Sequence, residues 1–201
     1  MIDFNVAMDI ETTGLNPWED RVVTVALVGN KGDTIEVFDE PEDEQKVLGA
    51  IEQYMRHTRI EQIVTWNGSE FDIPFLAVRF VLNGEDLPPF IRPTGETGKY
   101  GKPRYDGVWY GAQFLDIAYK FEEEAKSAGV RWSLKPFAEY KQLGRGIEYD
   151  FSEPFTVLDL DKGQRELYCT SDAQLVMGLF LGLQDSPEGR AVTLEGGLTI
   201  L

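Results

Sequence analysis

Residues 1–15 read MIDFNVAMDIETTGL, and the reading of this stretch sets the frame for the whole chain. Ile2, Phe4, Val6 and Met8 alternate with less apolar neighbours, and Gly14 stops the run. That is a short strand heading for a core. At its end stand Asp9 and Glu11, with Ile10 between them. Side chains two apart on a strand point to one face, so both carboxylates project together. Like charges held side by side and drawn out of water are costly, and a divalent cation removes both costs. A solvated strand end with a capping aspartate has the same D-x-E pattern. The pair therefore gains meaning only if the rest of the chain brings further carboxylates to comparable positions.

Working outward, Thr12-Thr13-Gly14-Leu15-Asn16-Pro17 is a turn, punctuated by Gly and Asn-Pro. The β-branched run at 21–28 (RVVTVALV) is a strand, 30–33 (NKGD) a turn, and 34–38 (TIEVF) a third strand, which makes an antiparallel meander. Residues 41–57 begin with Pro41 and acids and then place Val47, Leu48, Ile51, Tyr54 and Met55 at helical spacing. A short apolar strand at 63–66 ends on Asn67-Gly68, and a helix follows from Asp72 to Leu82, with Pro74 tolerable in its first turn. Residues 83–112 are rich in Gly and Pro and have no clear period, so they read as a functional loop or an inserted hairpin. Another strand at 114–118 leads to a short helix. A helix capped by Ser133 then runs through Leu134, Phe137, Ala138 and Tyr140 and is closed by Gly144. Residues 145–160 are irregular. The last long helix covers 161–183, with Leu167, Leu175, Val176 and Leu179 as its expected packing face. The order predicts an α/β fold, a mixed sheet whose first three strands are antiparallel and the later ones parallel, flanked by helices. Residues 1–184 form one domain, and 185–201 are a tail that no pattern places.

Composition narrows the function. No apolar run is long enough to span a membrane, and the opening residues lack the basic-then-apolar pattern of a secretory signal. Cys169 is the only cysteine, which excludes an internal disulfide and favours a reducing, cytoplasmic setting. His57 is the only histidine, which excludes a His-rich zinc site and weakens any Ser/His/Asp triad; its segment reads as the exposed end of a helix. The net charge of -16 argues against nucleic-acid binding, yet cations outnumber acids between Arg92 and Arg145. A polyanion would have to be met locally and with help from metal.

Two further acids meet the condition set by Asp9 and Glu11. Asp72 lies where a strand has ended and a helix begins, five residues after Asn67, a place where a carboxylate is also favoured by the helix dipole alone. Asp172 sits on the last helix four residues after Tyr168, so phenol and carboxylate share a face. An acid at the margin of a packed helix needs Arg, Lys or a metal as its partner.

Taken together, DIETTGL at 9–15, NGSEFD at 67–72 and YCTSD at 168–172 resemble, in that order, the three motifs of the DEDD superfamily of 3′-to-5′ exonucleases. The pattern is that of the tyrosine subclass and is similar to the proofreading exonuclease domains of family-B DNA polymerases. The histidine subclass places its histidine five residues before the last aspartate, where Leu167 stands here. The resemblance spans residues 2 to about 183 and implies a ribonuclease H-like fold and two-metal hydrolysis, with two Mg or Mn ions held by oxygen ligands. Asp9 would be shared by both ions, Glu11 and Asp172 would complete one site, and Asp72 would act mainly through water. Tyr168 would orient the attacking water rather than act as a strong base, because its phenol ordinarily titrates near 10. Thr12, Thr13 and Leu15 would hold the 3′-terminal nucleotide, and Asn67 and Phe71 the next one, although Phe71 suits a plain core position equally well.

The loop from Arg92 to Trp109 interleaves cations with Tyr100, Tyr105 and Trp109, which suits a single strand and equally suits a solvated hairpin. Lys135 could reach a phosphate. Asp116 resembles a structural acid of the fold and is not counted as a ligand. The expected activity is hydrolysis of single-stranded or frayed DNA ends to nucleoside 5′-monophosphates. Trimming of RNA 3′ ends, or a non-catalytic nucleic-acid-binding module on the same fold, are the alternatives. DNA is the expected partner over RNA, with any polymerase or repair partner on a separate chain or lost by truncation, and no membrane contact is expected.

Overall fold

The computed structural model describes residues 4–30, 34–85, 87–149 and 156–185. Ile2 of the opening strand, residues 31–33 of the first turn, residues 150–155 of the irregular stretch and the tail beyond 185 lie outside the described residues.

The chain runs β1 (Asn5–Thr12), β2 (Val22–Gly29), β3 (Ile35–Asp39), α1 (Glu44–His57), β4 (Gln62–Thr65), α2 (Asp72–Asn83), β5 (Phe90–Thr97), β6 (Pro103–Trp109), β7 (Ala112–Asp116), α3 (Glu122–Ala128), α4 (Leu134–Tyr140) and α5 (Lys162–Asp185). All seven strands join one sheet in the order β3-β2-β1-β4-β7-β6-β5. The meander pairs antiparallel, with Asp9 opposite Ala26 and Glu11 opposite Thr24. The centre is parallel, because β4 lies along β1 and β7 along β4, each after a helical crossover.

The stretch 83–112 is where the sheet departs from the expected order. Rather than ending in parallel strands, it continues through an antiparallel hairpin, β5–β6, joined to β7 by two paired positions. Nearly every position of β5 is exposed, so backbone pairing rather than burial holds it.

Side-chain parity along β1 explains the layering. Val6, Met8 and Ile10 enter the core beneath α1 and α2, with Leu48, Ile51, Phe75, Leu76 and Phe80. Ala7 faces the opposite core, with Ala26, Val64, Ile117, Phe137, Cys169, Ala173 and Val176, under α3, α4 and α5. Asp9 and Glu11 share the parity of Ala7 and so project toward α5. The small Ala7, Ala26 and Ala173, all fully buried, let α5 lie close on the sheet.

Two helix details differ from expectation. Leu167 is 57% exposed and does not belong to the packing face. That face is carried by Cys169, Ala173, Val176 and Phe180, at helical spacing, together with Leu175 and Leu179. Ser133 precedes α4, but its hydroxyl makes no capping hydrogen bond.

A buried ion pair fixes the start of α5. Arg165 grips Asp39 through two contacts of 2.8 Å and donates to the Leu160 carbonyl at 2.5 Å. Thr24 donates to the same carboxylate at 2.5 Å. This places α5 axially against β2 and β3 one turn before Tyr168.

Candidate metal centre

Four carboxylates converge from three elements. Asp9 and Glu11 leave the end of β1, Asp72 opens the first turn of α2, and Asp172 comes from α5. Ligand atoms of Asp9, Glu11 and Cys169 all lie within 4.8 Å of one another. Burial, followed by the charges of Asp172, Glu11 and Asp72, holds the Asp9 carboxyl well above the usual carboxylate range. Glu11 is pushed up to about 8, by burial and then by Asp172, with Lys135 opposing. Asp72 rises to about 7, chiefly through burial; its own N–H pulls it down, Asp116 pushes it up, and the Ile10 N–H lowers it. Asp172 rises to about 6, again through burial, which the Lys135 ammonium partly offsets. Burial thus penalises the charge on each acid, and at Asp9 and Glu11 the neighbouring site carboxylates add to it. Hard oxygen donors so arranged fit divalent cations, which would remove the penalty.

Tyr168 faces the same centre. Its phenol is held above its ordinary range by burial and then by Glu11, Asp172 and Asp9, so at neutral pH it keeps its proton and is a donor. Its ring meets Tyr149 edge-on, with centroids 5.5 Å apart. Lys135 ties the group together: its ammonium is 3.1 Å from Asp172 Oδ1, stands 4.2 Å from the Tyr168 ring centroid and donates to the Ile147 carbonyl at 2.5 Å.

The residues expected to hold substrate divide into two groups. Leu15 is 73% exposed on the turn after β1, as a contact residue would be. Thr12 and Thr13 spend their hydroxyls on that turn. Thr12 donates to the Gly14 carbonyl at 2.6 Å; Thr13 donates to Asp20 at 3.3 Å and accepts the Arg21 N–H at 3.1 Å. The Thr13 N–H is spent there as well, on the Arg21 carbonyl at 3.0 Å. Asn67 adopts a left-handed conformation, with φ of 63°. Its N–H donates to Asp116 at 2.9 Å. Phe71 is half-buried against the α1/α2 core, its ring 5.3 Å from Phe75, so it is partly core and partly available.

Asp116 is structural, as expected. Besides Asn67 it accepts from the Ser69 N–H and hydroxyl, at 3.1 and 2.6 Å, and from the Ala118 N–H at 3.1 Å. It thereby shapes the 67–69 turn that delivers Asp72.

Cys169 is the residue that sequence reasoning passed over. Its buried thiol donates to the Asp9 carbonyl at 3.3 Å. The signal was present, since Cys169 and Asp172 are three apart on one helix face. The basic loop is less bare than its composition suggests. Arg92 pairs with Asp106, Arg104 with Glu96 and the Tyr119 ring, and Lys99 with the Trp132 carbonyl. His57 sits exposed at the end of α1, its ring 2.8 Å from the Gln53 carbonyl, and takes no part. Among the described residues, no helix is long and apolar enough to cross a membrane.

The sequence model of the RNase_H superfamily matches residues 6–144, which includes Asp9, Glu11 and Asp72 and stops short of α5. No curated protein matches the chain. Among solved structures, the family B DNA polymerase from the hyperthermophilic archaeon Pyrobaculum calidifontis superposes with a TM-score of 0.70 at 22% identity. That match covers 91% of this chain and 25% of the polymerase, so the chain spans a quarter of its structural relative.

Proposed function

The chain belongs to the RNase H superfamily, and from that premise we propose that it is a metal-dependent 3′-to-5′ exonuclease of the tyrosine DEDD type. The observation that carries this reading is the convergence of Asp9, Glu11, Asp72 and Asp172 beside Tyr168, each carboxylate raised above its ordinary range. Four acids gathered at that cost with one cation among them are better explained by a metal-phosphate ligand than by stability. The substrate is a single-stranded or frayed DNA 3′ end, and the products are nucleoside 5′-monophosphates.

Asp9, Glu11, Asp72 and Asp172 would hold two Mg or Mn ions. Bound there, the ions supply neutralising charge, Lewis acidity toward the scissile phosphate and a low-pKa water. Tyr168 keeps its proton and donates to the attacking water, fixing its direction of approach. Lys135, paired with Asp172 at 3.1 Å, keeps that carboxylate ionised and aimed at the centre. Leu15, Thr12, Thr13, Asn67 and Phe71 would border the site where the terminal nucleotides lie. A polymerase or repair partner would supply the wider context that this quarter-length match leaves outside the chain.

The test uses 5′-labelled single-stranded DNA and the matching RNA, each with Mg²⁺, Mn²⁺ or EDTA, beside the Asp9→Ala protein. The expected result is a ladder shortening from the 3′ end of DNA that needs metal and is absent in the variant. Shortening of RNA alone would move the substrate to RNA. Binding without a ladder would make the chain a recruitment module.

A further inference from the structure

Glu70 is the one acid of the NGSEFD segment that the proposed chemistry does not use, and it is 4% exposed. No ion pair satisfies it among the described residues. Its carboxylate instead accepts the N–H groups of Lys99 and Tyr100, at 2.7 and 3.0 Å, and the Tyr119 hydroxyl. Lys99 and Tyr100 form the tip of the β5–β6 hairpin, roughly thirty residues away in sequence. The tip rests so closely on Glu70 that a Cβ at Gly98 would come within 1.9 Å of the carboxylate carbon. Two further ties act on the same hairpin: Tyr105 N–H donates to the Ser69 carbonyl at 2.9 Å, and Lys99 donates to the Trp132 carbonyl.

Strand β5 is exposed along nearly its whole length, and β6 is mostly half-buried until it reaches the buried Trp109. Beyond the hairpin's pairing with β7, the tip is held against the 67–71 turn chiefly through this carboxylate and the Ser69 carbonyl. Two residues of the held tip face outward. Tyr100 is 64% exposed, and the exposed Lys102 stands 6.0 Å from the ring of Phe71, next to Asp72. Unlike Arg92, Arg104 and Lys99, Lys102 has no ion pair or hydrogen bond among the described residues that would occupy its charge. An ammonium and an aromatic ring at one rim suit a phosphate and the base beside it.

We propose that Glu70 is a positioning residue: its carboxylate latches the hairpin tip to the 67–72 turn, so that Lys102 and Tyr100 hold the substrate strand upstream of the cleaved nucleotide. The inference rests on the exonuclease reading and adds to it a second grip on the strand. A grip away from the reacting phosphate contributes binding that is equal in the ground and transition states, so its loss raises KM and spares kcat. It is also felt only by substrates long enough to reach it.

The experiment compares a single-stranded oligonucleotide with the p-nitrophenyl ester of thymidine 5′-monophosphate, which ends at the reacting phosphate. In Glu70→Ala, KM for the oligonucleotide should rise about tenfold, the loss of one stacking or phosphate contact, with kcat and ester hydrolysis kept. Tyr119→Phe, which removes one donor of three, should shift KM in the same direction by less. Equal losses on both substrates would mean that Glu70 supports only the turn carrying Asp72, and would overturn the proposal. Should Glu70→Ala melt early, Lys102→Ala leaves the latch intact and should lower kcat/KM for the oligonucleotide relative to the ester; an unchanged ratio overturns the proposal. If the wild type hydrolyses neither substrate, the exonuclease reading falls by itself. Anisotropy of a labelled oligonucleotide then decides the grip: weaker binding in Glu70→Ala and Lys102→Ala sustains it, and equal binding removes it.

Discussion

Replacing Asp9 by Asn should make the metal-free protein more stable, although it removes a central residue of the proposed centre. Asp9 faces Asp172, Glu11 and Asp72, and the one interaction that favours its charge is the contact with Cys169. With ligand atoms of Asp9 and Glu11 within 4.8 Å, two full charges at an effective dielectric of about 20 repel by about 3 kcal/mol. Glu11 titrates at about 8, so near that pH it is half protonated and about 2 kcal/mol of relief is available to the amide. For a chain of this size that is a rise in Tm of about 4–8 °C. The sign follows from proton binding. Folding lifts Asp172, Asp72 and Glu11 to about 6, 7 and 8, so the folded apo protein holds protons that the unfolded chain has released. Apo stability is therefore full below the ordinary carboxylate range and is lost as pH rises through 6 to 8. The gain in Asp9→Asn should be large near pH 8.5 and vanish near pH 4. Metal should reverse the ranking, because a ligand at a hundred times its Kd stabilises by about 2.7 kcal/mol and the variant forfeits most of that. Urea titrations in EDTA and in Mn²⁺, at both pH values, measure all of this. A variant less stable than wild type in EDTA at high pH, or a gain independent of pH, would refute the electrostatic account of the site.

Three other outcomes are expected. Tyr168→Phe should lower kcat by about 10²-fold or less while Mn²⁺ affinity, followed by calorimetry, stays near wild type; full activity would return Tyr168 to a packing role. Asp116→Ala strips three hydrogen bonds from the 67–69 turn and a fourth from the Ala118 N–H, and should cost about 3 kcal/mol in urea, with activity falling because Asp72 loses its support. Arg165→Ala leaves Asp39 buried without its cation and should cost about 3–5 kcal/mol, whereas the double change with Asp39→Asn should recover part of the loss.

Most of the centre was legible because its geometry is local. Two acids two residues apart on a strand, and a phenol and an acid four apart on a helix, declare their shared faces without any tertiary knowledge. Residues satisfied by distant partners carry no such mark. Arg165 and Asp39 are 126 residues apart, and neither sits in a pattern that calls for the other. Leu167 was misplaced because leucine suggested burial, while α5 meets the sheet through Cys169 and Ala173, whose small size permits the close approach. The inserted hairpin was one of two readings of 83–112, and its strands could not be bounded: β5 contains Pro93 and Gly95 and is exposed along nearly its whole length, so no alternation of apolar and polar residues marks it. Glu70 looked like filler between Asn67 and Asp72, because the groups it serves arrive from Lys99 and Tyr100.

The carboxylate centre joins the first strand to the last helix, and Asp9 and Asp172 lie at nearly opposite ends of the described chain. During synthesis the sheet through β7 can begin to pair while α5 is still inside the ribosome, yet at that stage the nascent chain owns only three of the four acids and no Tyr168. On the exonuclease reading, a half-made molecule would therefore lack the groups needed to cut a nucleic-acid end.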